Sequence, residues 1–130
     1  MLFDTTILID FLRNKKNAVE FIEKRTNKPM FTTEINIYEL FTGVFLASEN
    51  NDLLQSKVFN LISSLTVLQL DRTSSVEAGK ITANLTKIGL KIEQTDTLIA
   101  AIALTNGISN IVTANKNHYE RIPGIKVISY

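Results

Sequence analysis

The sequence predicts an α/β protein built on one mainly parallel sheet of about five strands. Three observations lead there. Short apolar runs alternate with longer segments of helical period, the order that βαβ units produce. Only five glycines and two prolines punctuate the 130 residues, and no repeat or low-complexity linker divides them, so residues 1–130 read as a single domain. The composition, 45% hydrophobic and 21% charged, suits a globular protein able to bury a core without disulfide or metal staples.

The expected strands are Leu2–Asp4, Met30–Thr32, Thr66–Leu70, Asn110–Thr113 and Lys126–Ile128. After the first, "TTILIDFL" reads as a short helix with Asp4 at its N-cap. After the second, Ile37, Leu40, Phe41, Val44 and Phe45 recur at helical spacing and mark an amphipathic helix. A further helix is expected over Leu53–Ser63. "SSVEAGKITANLTKIG" opens on a capping box, Ser74 with Glu77, carries a stripe of Ala78, Ile81, Leu85 and Ile88, and stops at Gly89. "TDTLIAAIALTNG" is apolar all round, with Thr95 as N-cap and Gly107 just past its end, and is expected to lie buried between other elements.

Charge and composition exclude several classes. The 14 Lys and Arg nearly balance 13 Asp and Glu, so no bulk basicity announces nucleic acid and any partner must be read from local sites. With no cysteine there is no disulfide, thiolate metal site or cysteine nucleophile, which fits a reducing compartment. The first ten residues hold Asp4 and Asp10 and no basic stretch, unlike a secretory signal. The run "TLIAAIALTNGISNIVTAN" is broken by Asn106, Gly107, Ser109 and Asn110, so it is not one membrane span. The expectation is a soluble, cytoplasmic protein with no membrane partner.

Three carboxylates stand out. Asp4 falls at the carboxyl end of the first strand, where open α/β sheets form their ligand crevice, and one oxygen could cap the following helix while the other faces that crevice. Asp96 sits in the first turn of the apolar helix, a place the helix dipole favours for a negative charge. Glu39 lies off the apolar stripe of its helix with no Lys or Arg three or four residues on, and Gly43 one turn later suggests a close approach beside it. A surface carboxylate remains the alternative for Glu39. Asn115 offers a neutral oxygen ligand or a turn-stabilising side chain. His118, the one histidine, cannot build a zinc site alone and reads as a surface or turn residue. Asp10 and Asp71 read as caps or surface charges. Asp4, Glu39 and Asp96, with an amide and no sulfur, make a hard oxygen set suited to Mg²⁺ or Mn²⁺, ions that activate water against a phosphodiester.

The blocks "LFDTTILIDFL", "TTEINIYELFTGV", "QTDTLIAAIALTNG" and "NIVTANKNHYERIPGIKVI" resemble, in that order, those of PIN domains, most closely VapC-type toxins of toxin-antitoxin pairs. The resemblance implies a three-layer α/β/α fold and an acidic pocket that binds Mg²⁺ or Mn²⁺ and hydrolyses RNA. Asp4 matches the first-strand aspartate, Glu39 the glutamate of the second block, Asp96 the aspartate opening "D.LIAA", and Thr113 the threonine closing the fourth strand. Two positions depart. Thr6 stands where the family usually has an asparagine that orders the pocket, and Asn115 with His118 stands where many members carry a fourth carboxylate. The resemblance further implies a homodimer and a VapB-type antitoxin whose tail covers the pocket.

The leading expectation is therefore a metal-dependent endoribonuclease with Asp4, Glu39 and Asp96 as ligands and catalytic groups, supported by Thr113, Asn115 and Thr6. Arg13, Lys116 and Arg121 are candidates to guide the RNA backbone. One alternative is a PIN-fold RNA- or protein-binding module with weakened catalysis. Another is a phosphoryl-transfer protein with Asp4 as nucleophile, which lacks the second carboxylate that such sites place where Thr6 stands.

Overall fold

A computed structural model of the chain describes residues 1–47 and 51–130. Five strands, β1 (Leu2–Phe3), β2 (Phe31–Thr33), β3 (Thr66–Leu68), β4 (Asn110–Val112) and β5 (Lys126–Ile128), form one sheet in the order β3-β2-β1-β4-β5. Every pairing is parallel, with Leu2 opposite Phe31 on one side and Phe3 opposite Val112 on the other. Parallel neighbours need crossover helices, which the chain supplies as α1 (Thr5–Leu12), α2 (Lys16–Glu23), α3 (Glu34–Ala47), α4 (Asp52–Ser63), α5 (Arg72–Lys87), α6 (Gln94–Thr105) and α7 (Lys116–Tyr119).

Strand alternation sorts the core into two layers. Phe3 and Val112 face a cluster with Ile7 and Leu8 of α1, Ala18 and Ile22 of α2, Leu40 and Val44 of α3, and Val58 and Leu61 of α4. Leu2 and Ile111 face the opposite side, where Ala78, Ile81 and Leu85 of α5 meet Ile99, Ala100, Ala101 and Ala103 of α6, with Tyr119 of α7. The result is the expected three-layer α/β/α arrangement with a wholly parallel sheet.

The strand order fixes where a site belongs. From β1 the chain winds outward through β2 and β3, then returns to place β4 and β5 on the other side, so it reverses direction between β1 and β4. At such a switch point the flanking crossovers diverge to opposite faces and leave a crevice at the carboxyl ends of the strands. Asp4 and Thr113, the residues directly after β1 and β4, stand at that opening.

Several local expectations shift. Three ladders end one or two residues earlier than the apolar runs, so Asp4, Thr113, Gln69 and Leu70 lie outside strands, while β2 runs Phe31–Thr33 rather than Met30–Thr32. The α5 capping box is formed by Asp71 and Ser74 rather than Ser74 and Glu77: Ser74 N–H donates to Asp71 Oδ1 at 2.7 Å, and Asp71 N–H donates back to Ser74 Oγ at 2.9 Å. Ile88 is exposed just beyond α5, before Gly89 turns the chain at φ +71. In α6 the N-cap is Glu93 instead of Thr95, and Gly107 follows the helix in the left-handed conformation expected of it, φ +72. On α3 the buried line is Asn36, Leu40 and Val44, while Phe45 faces solvent.

Candidate active site

Asp4 occupies the N-cap position of α1, but its side chain makes no capping bond. Its backbone N–H donates to Val112 O at 3.0 Å, which extends the parallel ladder one step and aims the carboxyl group into the crevice. Neutral donors from separate parts of the fold reach it. Thr113 Oγ1 donates to Oδ2 at 2.7 Å and Thr6 Oγ1 to the same oxygen at 3.1 Å. Asn36 Nδ2 donates to Oδ1 at 3.2 Å and the Tyr119 hydroxyl at 3.1 Å. A carboxylate that is 2% exposed therefore has both oxygens satisfied without a lysine or arginine.

Asn36 links this group to the next carboxylate. Its Nδ2 also donates to Thr5 Oγ1 at 2.9 Å, and Thr5 in turn donates to Glu39 Oε2. On its other side Asn36 Oδ1 accepts from the backbone N–H and hydroxyl of Thr33, at 3.1 and 2.7 Å, which pins the start of α3 to the end of β2. Glu39, one turn after Ile35, is thereby held at the crevice wall and is half-buried rather than a free surface charge. Burial pushes its proton affinity up, and the charges of Asp4 and Asp96 add to that rise against hydrogen bonds from Thr5 and Thr95.

Asp96 lies in the first turn of α6 and is buried. Its Oδ2 meets His118 Nδ1 at 2.5 Å, so His118 is part of the site and not the isolated turn residue its sequence context suggests. Burial raises the Asp96 proton affinity, opposed by the His118 contact and reinforced by the Asp4 charge. Tyr119, fully buried beside it, has its phenol pushed well above the usual range by burial and then by Asp4 and Asp96.

The three carboxylates line one open crevice of about 450 Å³ with Thr5, Thr6, Thr95 and Asn115. Gly43 lines it too, with open space where a Cβ would stand, so the close approach expected beside Glu39 is not found among the described residues. Thr6 keeps an ordering role despite lacking an amide, because its hydroxyl also accepts Ala114 N–H at 3.0 Å. Asn115 contributes through its backbone N–H, which donates to Thr113 Oγ1 at 2.9 Å, while its side chain is exposed at the rim. Among the guide candidates, Lys116 directly follows Asn115 of the crevice, and with Lys15 and Lys16 it edges a second cleft of about 520 Å³ walled in part by Thr113, the residue whose hydroxyl donates to Asp4. Arg13 lines a hollow between α1, α3 and α4 that shares Ile9 and Gly43 with the crevice, and Arg121 donates to Lys91 O at 3.4 Å. Asp10 pairs with Lys15 at 2.8 Å and Asp71 caps α5, both outside the crevice.

Among the described residues, no three His, Asp or Glu side chains stand close enough to close on one ion by themselves. The donor set nonetheless fits Mg²⁺ or Mn²⁺: all-oxygen, anionic, open to water, and lined by no lysine or arginine among the described residues. Mg²⁺ keeps several waters and takes one or two carboxylates plus substrate phosphate, so a closed protein cage is not what it requires.

Residues 1–124 match the PIN domain family. The "tRNA(fMet)-specific endonuclease VapC" of Salmonella typhimurium is 34% identical over 97% of this chain and 94% of its own length. Among solved structures, a DNA-bound VapBC from Salmonella typhimurium superposes with a TM-score of 0.87 at 30% identity, covering 98% of this chain and 96% of that one. VapBC2 from Rickettsia felis, bound to a promoter DNA fragment, shares the fold at a TM-score of 0.88 and 23% identity, over 99% and 97% of the two chains. A switch-point crevice with Asp4, Glu39 and Asp96 in it, and a match over nearly the full length, lead to one conclusion: the chain belongs to the PIN-domain family.

Proposed function

We propose that the protein is a metal-dependent endoribonuclease, the VapC-type toxin of a toxin-antitoxin pair, acting in the cytoplasm. The observation that carries this reading is the gathering of Asp4, Glu39 and Asp96 from three separate elements into one crevice that no lysine or arginine lines. Family membership and the Salmonella endonuclease relative support hydrolysis of a phosphodiester bond in RNA.

In this reading Asp4, Glu39 and Asp96 hold Mg²⁺ or Mn²⁺ directly or through water. When bound, the ion makes a water more acidic and offsets charge on the phosphate. Glu39, exposed enough to reach water, orients the attacking water with Oε1, because Oε2 is engaged by Thr5. Asp96 is kept in register by His118, and Asp4 by its four donors. Asn115 offers its amide to substrate at the rim. Lys15, Lys16 and Lys116 flank the adjoining cleft and would carry the RNA backbone past the site. The solved relatives are VapBC complexes, which supports a VapB-type antitoxin as partner; a homodimer is what the family resemblance implies.

The test is cleavage of RNA by the purified protein with Mg²⁺, Mn²⁺ or EDTA, for wild type and Asp4→Asn. Wild-type cleavage that requires the ion and vanishes in Asp4→Asn, with the circular dichroism unchanged, is the expected result. Undiminished cleavage by Asp4→Asn would refute the assignment. The competing binding module draws its support from Asn115, which brings an amide and no charge to the rim; it predicts RNA binding without turnover and no Mn²⁺ uptake even with RNA present.

A further inference from the structure

Helix α7 is a single turn, and two adjacent side chains on it end on two different carboxylates of the crevice. Tyr119 donates its hydroxyl to Asp4 Oδ1 at 3.1 Å, and His118 Nδ1 meets Asp96 Oδ2 at 2.5 Å. Asp4 comes from the β1–α1 junction and Asp96 from the first turn of α6, so their separation is set by packing between two elements and not within one.

We infer that α7 is the positioning element of the site, with Tyr119 as a positioning residue that, together with His118, fixes Asp4 relative to Asp96. The catalytic consequence rests on the ribonuclease reading above.

Three features make the turn suitable. Tyr119 is fully buried and packs in the cluster with Leu2, Ile99, Ile111 and Ile122, so its ring has no freedom to swing and its hydroxyl arrives already oriented. The start of the turn is tied to the same carboxylate by another route: Asn115 N–H donates to Thr113 Oγ1 at 2.9 Å, and Thr113 Oγ1 donates to Asp4 Oδ2 at 2.7 Å. Asp4, Thr113, the backbone through Asn115, and Tyr119 thus close a ring of contacts around the carboxyl group. Finally, a phenol lowers the repulsion between two nearby carboxylates while bringing no positive charge that would compete with a cation. The phenol sits on Asp4 at 3.1 Å while its neighbour His118 holds Asp96, so it adds a dipole between the two charges and no cation.

Tyr119→Phe removes one oxygen and keeps the packed ring. The expected outcome is an unchanged far-ultraviolet spectrum, a turnover number on RNA about tenfold lower with KM within twofold, and Mn²⁺ affinity by calorimetry weakened at least threefold. His118→Asn, which can place an amide nitrogen where Nδ1 stands, is expected to keep most of the turnover that His118→Ala loses. In the metal-free protein, the effect of Tyr119→Phe on the thermal midpoint should shrink or change sign when Asp4→Asn is already present, because the two groups are coupled. Wild-type turnover and Mn²⁺ affinity in Tyr119→Phe would overturn the inference; so would tighter Mn²⁺ binding, or strict additivity of the two midpoint shifts. If wild type cleaves no RNA, the ribonuclease reading fails on its own, and Mn²⁺ calorimetry with the thermal cycle still decides whether α7 positions the carboxylates.

Discussion

Asn36 gives the sharpest forecast about what holds the site together. Asn36→Ala strands the buried backbone N–H of Thr33 and removes one donor from Asp4 Oδ1. Other losses are soft, since Asp4 Oδ1 keeps Tyr119 and Thr5 keeps Glu39. A stranded buried donor costs about 1–3 kcal/mol, and a lost hydrogen bond to a charged group about 1.5–3 kcal/mol. Alanine returns roughly 0.5 kcal/mol of helix propensity, leaving a net cost of about 3 kcal/mol. With an unfolding entropy of about 2.1 cal/mol/K per residue over 130 residues, that is a midpoint lowered by about 10 °C. The assay is a calorimetric melt of metal-free protein at pH 7.5. Asn36→Asp serves as the companion, because it keeps shape and can still accept from Thr33 but sets a second carboxylate beside Asp4. Its own pKa will be raised in the folded state, so its stability will be greater near pH 4.5 and will fall as pH rises. A shift below about 3 °C for Asn36→Ala would refute the reasoning, as would an Asn36→Asp protein more stable at pH 7.5 than at pH 4.5.

Three further outcomes follow from the same geometry. Asp4→Asn will abolish ion-dependent RNA cleavage and leave the fold intact, read by cleavage assay and circular dichroism. In the metal-free wild type, the raised proton affinities of Glu39 and Asp96 mean that the folded state binds protons more tightly than the unfolded one. Their contribution to stability is therefore present below the ordinary values of 4.5 and 3.8 and is lost as pH rises through the raised ones; melts across pH 4 to 8 should show Glu39→Gln flattening that loss, and Mn²⁺ stabilising the wild type more at pH 7.5 than at pH 5. Replacing both Lys16 and Lys116 with Ala will raise KM for RNA with little change in turnover and reduce the salt dependence of binding by about 1.4 in log–log slope, at roughly 0.7 per lost single-strand phosphate contact; an unchanged slope would remove the cleft from the RNA path.

The sequence made some of these groups visible and hid others for physical reasons. Asp4 and Asp96 are legible because each sits where a regular pattern stops, at a strand end or in the first turn of an all-apolar helix, whereas Thr113 is marked only by the family resemblance. Glu39 is legible as a charge without a helical partner. Asn36 left a signal that went unused: it stands four residues before Leu40 and eight before Val44, a polar group on the buried line of α3. Widening the stripe from Leu40 and Val44 toward Ile37, Phe41 and Phe45 put Asn36 on the Glu39 side instead. Tyr119 and the His118 contact could not be read, because α7 is too short to show a period and its partners lie 115 and 22 residues away. The wrong capping partner in α5 has the same origin: Asp71 and Ser74 satisfy the spacing as well as Ser74 and Glu77 do, and only the end of β3 decides between them.

The way the crevice handles charge explains why these hidden residues matter. A buried carboxylate is ordinarily paired with a cation or a metal ion and hydrogen-bonded. Here Asp4 is compensated by two threonine hydroxyls, an amide and a phenol, and the only basic ring in contact with the set, His118, is turned to Asp96. Neutral donors orient a carboxylate but leave its negative charge uncancelled, so Asp4 still acts on Glu39 and Asp96 and raises the proton affinity of both. The fold thus carries unrelieved negative charge at the mouth of its parallel sheet, a cost in the free protein at neutral pH. A divalent cation relieves all three groups at once, whereas a fixed lysine would relieve them permanently and leave no reason for a metal to bind. Choosing oriented dipoles over a salt bridge is what keeps the crevice both folded and receptive.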